Sequence, residues 1–247
     1  MMLIKYWKLL HAFIMAFWIL SIKFPRQSPE QKFLEIQNWS RQMLRVLSID
    51  LESAAQSTQC LTTQPRLLVA NHVSWLDALV IQAVQPSVFV AKLEVKNWPI
   101  VGRIATACGV IYVKRGSPIS SKRMVNDVAQ ALRNGSCVAG FPEGTSTAGV
   151  TVNNFHANIF EAAIENVIAV QPVALRYTHP ITGDHFTKAA FIGEIGFLQS
   201  LHQVISANGI VAKISMGELL SPQGHTRRSL AQLSHRTISA QLTSLSA

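Results

Sequence analysis

Leu67-Leu68-Val69-Ala70-Asn71-His72-Val73-Ser74-Trp75-Leu76-Asp77-Ala78-Leu79-Val80-Ile81 holds two structural instructions back to back. Leu67–Ala70 is a short unbroken apolar run, the pattern of a strand covered on both faces in a parallel sheet. Ser74, with Asp77 three residues on and an apolar run behind it, reads as a capping box that opens a helix. A strand that passes directly into a helix start is the repeating unit of an open α/β sheet, and ligands collect beyond the carboxyl ends of its strands. His72 falls at that edge.

Further strands are predicted at Val88–Ala91, Gly109–Val113, Cys137–Phe141, Val167–Tyr177 and Ile210–Met216, and helices at Ser120–Leu132, Gly196–Asn208 and Thr226–Leu245. This alternation predicts an α/β layered fold, a mostly parallel sheet flanked by helices. Residues 51–65, rich in Ser, Thr and Gln and closed by Pro65, read as a linker or a weak first strand. No repeat or low-complexity tract marks a second folded domain, so residues 51–247 are expected to form one α/β domain behind an N-terminal segment, 1–50.

That segment is apolar from Leu9 to Ile22 apart from His11 and Ser21, with Lys5 and Lys8 before it and Lys23 and Arg26 after. Such a run is short of the ~20 residues that cross a bilayer, although with snorkelling lysines the stretch from Met2 just reaches. Ser28-Pro29-Glu30 then starts a second helix, whose Phe33, Ile36, Trp39, Met43, Leu44 and Leu47 recur near helical spacing. The pair is expected to form a membrane-associated helical hairpin lying partly in one leaflet. No small-residue cleavage site follows it.

Only 14% of the 247 residues are charged, 49% are hydrophobic, and the formal net charge is +9. The excess sits in residues 1–50, with seven Lys/Arg against three acids, and in residues 92–133, with eight against two. Such surfaces suit an anionic membrane, an acidic substrate or an acidic carrier. No nucleic-acid-binding motif accompanies the basic charge, so nucleic acid is not expected as a partner. Cys60, Cys108 and Cys137 lack metal-ligand spacing and are expected to be reduced in a cytosol-facing protein; no metal or cofactor is anticipated.

His72, five residues before Asp77, has the equipment for taking a proton from a hydroxyl: a carboxylate fixes the tautomer and stabilises the imidazolium. Taken alone, Asp77 is as readily a helix cap and His72 an ordinary histidine. Phe141-Pro142-Glu143-Gly144-Thr145, after a strand, is in isolation a polar turn with a strain-relieving glycine. Between these two stretches lie Ala91-Lys92-Leu93-Glu94, Pro99-Ile100-Val101-Gly102 and Gly109-Val110-Ile111-Tyr112-Val113-Lys114-Arg115-Gly116, and behind them Val170-Gln171-Pro172-Val173-Ala174.

In this order the blocks resemble the glycerolipid acyltransferase family, with its N-H-x-x-x-x-D and F-P-E-G-T-R-S motifs, and most strongly the 1-acylglycerol-3-phosphate acyltransferases. The resemblance implies transfer of a fatty acyl group from acyl-CoA or acyl-carrier protein to a lysolipid hydroxyl at the cytoplasmic face of a bacterial inner membrane. It makes His72 and Asp77 the catalytic pair, Lys114 and Arg115 ligands of the acceptor head group, and Glu143, Gly144 and Thr145 substrate-positioning residues. None of the matched motifs supplies a nucleophilic Ser or Cys, so direct attack on the thioester is expected. Ser146 stands where the family motif has arginine. That variant resembles bacterial relatives of which some acylate lyso-ornithine lipids, the alternative acceptor. Two remoter alternatives are a serine hydrolase built on Ser146, Asp184 and His202, and a non-catalytic lipid-binding protein.

Overall fold

The structure is a computed structural model that describes residues 2–53, 64–207 and 209–246. Seven strands form one sheet: β1 (Ile49–Ser53), β2 (Leu67–Ala70), β3 (Val88–Lys92), β4 (Ile111–Val113), β5 (Val138–Gly140), β6 (Val170–Thr178) and β7 (Ile210–Met216). Their order is β1-β7-β6-β2-β5-β3-β4, and every pairing is parallel except β6 with β7. The mostly parallel sheet expected from the alternation is therefore present, with β2 at its centre.

Side chains along β2 alternate between two cores, as the period of a strand requires. Leu68 and Ala70 face one layer, made by the helices α1 (Met2–Trp18), α2 (Pro29–Val46), α3 (Leu76–Val84) and α7 (Phe197–Ser206). Leu67 and Val69 face the other, where α5 (Pro118–Arg133), α6 (Asn158–Glu165) and α8 (Arg227–Ser244) pack. Burial on both faces is why β2 reads as a continuous apolar run and not as an alternating one. A short α4 (Val101–Ala107) sits beyond the sheet, behind a 3-10 turn at Leu93–Asn97. Gly102 makes that packing possible, since a Cβ there would lie 2.2 Å from the Lys96 carbonyl oxygen.

Most boundaries shift by a residue or two, and two of the shifts have a physical reason or a structural consequence. The strand at 51–65 begins at Ile49 and pairs with β7 through Ser53, while residues 54–63, Cys60 among them, lie outside the described residues. The strand expected from Val167 begins at Val170. Val167, at φ 51°, takes the left-handed position that ends α6, with its amide on the Ile164 carbonyl and that of Ile168 on the Ala163 carbonyl. A β-branched residue in this closing turn looks like a strand former locally, but the helix end overrides it.

The N-terminal pair is joined by a π turn at Ile19–Lys23 and a 3-10 turn at Phe24–Arg26. Ser28 and Gln31 complete a reciprocal capping box at the start of α2, and Trp39 Nε1 donates to the Ala12 carbonyl at 3.0 Å to tie the helices together. Met43, Leu44 and Leu47 are buried in the same core as Leu76 and Val80 of α3. Arg41 Nε and Gln37 Nε2 donate to the last carbonyls of α3, Ala83 at 2.9 Å and Val84 at 3.1 Å, which have no partner within the helix. One face of α1 is not covered: Leu3, Ile4, Trp7, Leu10, Ile14 and Trp18 are exposed. The helical stretch Met2–Arg26, 25 residues containing an 18-residue window of mean hydropathy 1.4 that is 17% buried, is the one among the described residues long and apolar enough to cross a membrane.

Candidate active site

At the carboxyl end of β2 the ladder to β6 is prolonged by a side chain. Asn71 Oδ1 accepts from the Leu175 amide at 2.8 Å and its Nδ2 donates to the Leu175 carbonyl at 3.0 Å, so a buried side chain does the work of a strand residue. The next residue, His72, is thereby delivered to the sheet edge. The chain then turns tightly around the carboxylate of Asp77, which is fully buried in the first turn of α3. Asp77 Oδ2 accepts from the Val73 amide at 2.7 Å, the Ser74 amide at 2.9 Å and His72 Nδ1 at 2.8 Å. Tyr177 on β6 donates its hydroxyl to Asp77 Oδ1 at 2.7 Å.

A carboxylate has only lone pairs to offer, so the proton of the His72–Asp77 bond belongs to Nδ1 and the lone pair of the imidazole is on Nε2. Burial pushes the Tyr177 phenol well above its usual value, and the adjacent Asp77 charge pushes it further, which keeps it a donor. The positive end of α3 favours charge on Asp77 in the same place. The imidazole of His72 stacks on Phe141, ring centres 4.1 Å apart and nearly parallel.

The capping box read from the sequence is half present. Asp77 takes the Ser74 amide, but Trp75 holds the N-cap position, and Ser74 Oγ is buried without a hydrogen-bond partner among the described residues. Capping and orientation of His72 are thus one arrangement, because a single oxygen accepts all three donors.

Glu143 follows β5 and is buried behind this turn. Its Oε1 accepts the amide of His72 at 2.7 Å and its Oε2 the amide of Asn153 at 2.8 Å, so it fixes the backbone of His72. Thr147 closes the other side, its amide donating to the His72 carbonyl at 2.8 Å. Gly144 turns at φ 66° with its amide on the Phe141 carbonyl, and the point where a Cβ would stand is 3.2 Å from the His156 ring and 3.9 Å from the Arg115 guanidinium. Thr145 is exposed at the same opening.

Of these, His72, Phe141, Glu143, Gly144, Thr145, His156 and Arg115 border one cavity of about 860 Å³, while Asp77 and Tyr177 stand behind it. Its apolar wall comes from α1, α2 and α4, among them Phe13, Trp39, Val101 and Ile104, while His72, Glu143, Arg115 and Lys92 supply its polar part. Burial lowers the Lys92 ammonium below its usual value, and the nearby Arg115 charge lowers it further, so two cations share this end of the cavity. Among the described residues neither is within ion-pair distance of a carboxylate.

Residues 49–176, more than half of the chain, match the family described as Acyltransferase. The chain belongs to that family. It is 32% identical to the lyso-ornithine lipid O-acyltransferase of Pseudomonas aeruginosa, over 81% of this chain and 75% of that protein. It is 30% identical to the 1-acyl-sn-glycerol-3-phosphate acyltransferase of Neisseria meningitidis serogroup B, over 75% of this chain and 71% of the other. The crystal structure of the LPA acyltransferase PlsC from Thermotoga maritima has the same fold, with a TM-score of 0.69 at 18% identity over 98% of both chains.

In this acyltransferase the residues singled out from the sequence do not all converge. His72, Glu143, Gly144, Thr145 and Arg115 lie on the one cavity, with Asp77 bonded to His72 behind it. Lys114 does not: its side chain is exposed outside the cavity lining, whereas Arg115, in the turn after β4, borders it. The hydrolase residues are dispersed into other roles, with Ser146 Oγ on the Phe191 carbonyl, His202 Nδ1 on the Tyr6 hydroxyl, and the Asp184 carbonyl on the His179 amide. Tyr177 and Asn153 escaped sequence reasoning, since only the pairing of β6 beside β2 and the loop after β5 bring them to this turn. Lys92 lay within a recognised block without an assigned role.

Burial raises the Glu143 carboxyl above its ordinary value of 4.5, although the Asn153 and His72 amides oppose the shift. The folded protein then holds a proton that the unfolded chain releases, so this group favours folding most in acid and loses that contribution as pH rises from about 4.5 through the raised value. The urea midpoint of the wild type should therefore fall relative to that of Glu143→Gln as pH rises through this window. A difference that stays flat with pH contradicts the assignment.

Proposed function

We propose that this acyltransferase moves a fatty acyl group from the thioester of acyl-CoA or acyl-carrier protein to the free hydroxyl of 1-acyl-glycerol-3-phosphate, giving phosphatidate. The observation that carries this reading is a histidine with its Nε2 turned from Asp77, on one cavity with an apolar wall and two cations that, among the described residues, have no carboxylate within ion-pair distance. His72 Nε2 takes the acceptor hydroxyl proton, and the oxygen attacks the thioester carbonyl carbon. The tetrahedral intermediate collapses, the C–S bond breaks, and the imidazolium returns the proton to the leaving thiolate. Asp77 orients the ring and balances its transient charge.

Arg115 and Lys92 hold the acceptor phosphate, for which a guanidinium gives two-point binding. Glu143 positions His72 through its backbone. The amide of Gly144 is already taken by Phe141, which leaves that of Thr145 as the donor this turn offers to the oxyanion. Ser146 and the Pseudomonas relative favour lyso-ornithine lipid as a second acceptor. Its ornithine ammonium, however, would meet two cations at that end of the cavity, neither of them within ion-pair distance of a carboxylate among the described residues.

Residues 1–50 serve as the membrane-associated segment and 51–247 as the catalytic domain, at the cytoplasmic face of a cell inner membrane. The exposed apolar face of α1, beside Lys5, Lys8 and Lys23, supports attachment to an anionic surface.

His72→Ala should cost on the order of 10²- to 10⁴-fold in kcat with the fold retained. The same assay, given both lysolipids with one thioester, should show transfer to lysophosphatidate. Robust use of lyso-ornithine lipid alone would reverse the acceptor while keeping the His72 mechanism. Replacing Trp7, Leu10 and Ile14 together with serine should release the protein from anionic vesicles while its circular dichroism persists; full sedimentation of that variant places the attachment elsewhere.

A further inference from the structure

The loop before α6 brings a third ionisable group to the cation end of the cavity. His156 is anchored by its amide, which donates to the Pro142 carbonyl at 2.9 Å, while its imidazole makes no hydrogen bond among the described residues. The ring is exposed at the cavity lining and, with the Arg115 guanidinium, lies within 4 Å of one point beside Gly144. Glycine at that position leaves the space between the two side chains open. Ser146 cannot act there, since its hydroxyl is committed to the Phe191 carbonyl on another side.

The groups that face His156 are few in kind. Arg115 comes from the connection between β4 and α5, and Lys92 from the end of β3. Ser121 of α5 and Asn158 of α6 are neutral and bonded to each other at 2.9 Å. Glu143 lines the same cavity, and both of its oxygens already accept backbone amides. Glu94, in the turn after β3, offsets part of the Lys92 charge, but among the described residues no carboxylate is within ion-pair distance of Arg115, Lys92 or His156, so the partner that fits among them is an external anion of high charge.

We propose that His156, protonated, is a head-group ligand that closes around the phosphate monoester of the acceptor together with Arg115 and Lys92, making acceptor affinity depend on pH. Binding of the phosphate and protonation of the imidazole support one another, since each offers the other an opposite charge. This rests on the lysophosphatidate reading and deepens it: the site prefers a dianionic monoester to a carboxylate or a zwitterion, because three donors face it from three separate elements.

The test uses the full chain, with KM and kcat for lysophosphatidate measured at about pH 6 and pH 8, on either side of the usual histidine range. His156→Ala should raise the acceptor KM about tenfold at the lower pH, the effect of one lost charge-assisted hydrogen bond, and much less at the higher, with kcat nearly unchanged. The ratio of variant to wild type removes the titration of His72 and of the phosphate itself, which both proteins share. His156→Arg should restore a low KM at both pH values, which a merely structural role would not give. Monoacylglycerol, which lacks the phosphate, should be indifferent to either variant.

An acceptor KM unaffected by His156→Ala in an enzyme that uses lysophosphatidate overturns this proposal alone. A rise confined to the KM of the thioester also overturns it, placing a donor phosphate at His156. A wild type inactive on lysophosphatidate removes the parent reading and this one with it.

Discussion

The buried carboxylate of Asp77 is the constraint around which the acyltransferase is arranged. An ionised carboxyl out of contact with water is costly unless the protein itself solvates it, and in this turn four donors do so: two backbone amides, an imidazole N–H and a phenol. Each donor fixes a different piece of the architecture. The amides of Val73 and Ser74 bend the chain between β2 and α3, Tyr177 requires β6 to lie beside β2, and His72 is left with one orientation. Glu143 and Thr147 then clamp the backbone of His72 from the opposite side. The imidazole of His72 is held in place because its surroundings are structural.

The same economy governs the N-terminal helices. α2 is part of the catalytic half of the molecule as much as of the hairpin, since Arg41 and Gln37 terminate α3 and Met43, Leu44 and Leu47 fill the core beneath it. α1 rests on α2 and reaches α7, where Lys5 caps the Ile205 and Ala207 carbonyls at 3.1 and 3.3 Å. Both helices also wall the cavity that holds His72. One helix, α1, thus presents an exposed apolar face outward through Trp7, Leu10 and Ile14 and walls the cavity inward through Phe13 and Ala16.

Much of this was legible in the sequence, for identifiable reasons. The apolar run Leu67–Ala70 announced a strand covered on both faces, and the spacing from Ser74 through Asp77 announced a helix start, because both signals are local. The spacing of His72 and Asp77 is local too: five residues suffice to fold the ring back onto the carboxylate. What escaped depends on contacts distant in sequence. Tyr177 lies 100 residues beyond Asp77 and meets it only through the pairing of β6 with β2. The antiparallel entry of β7 left no local mark, since Ile210–Met216 is apolar enough to pair in either direction. Arg115 was the preferred anion ligand for its guanidinium, with Lys114 beside it, and only the turn after β4 leaves Lys114 off the cavity, while Val167 had the composition of a strand in the turn of a helix end.

The chemistry proposed for His72 depends on which of its ring nitrogens carries the proton. The direct measurement is the ¹⁵N spectrum of histidine-labelled protein near neutral pH, with His72 assigned by its loss in His72→Ala. The predicted result is a neutral ring protonated at Nδ1, its shift marking a strong bond to Asp77, and a bare Nε2 whose signal moves when a lysolipid is added. A ring protonated at Nε2, or one that Asp77→Asn leaves unaltered, contradicts the orienting role of the Asp77 carboxylate.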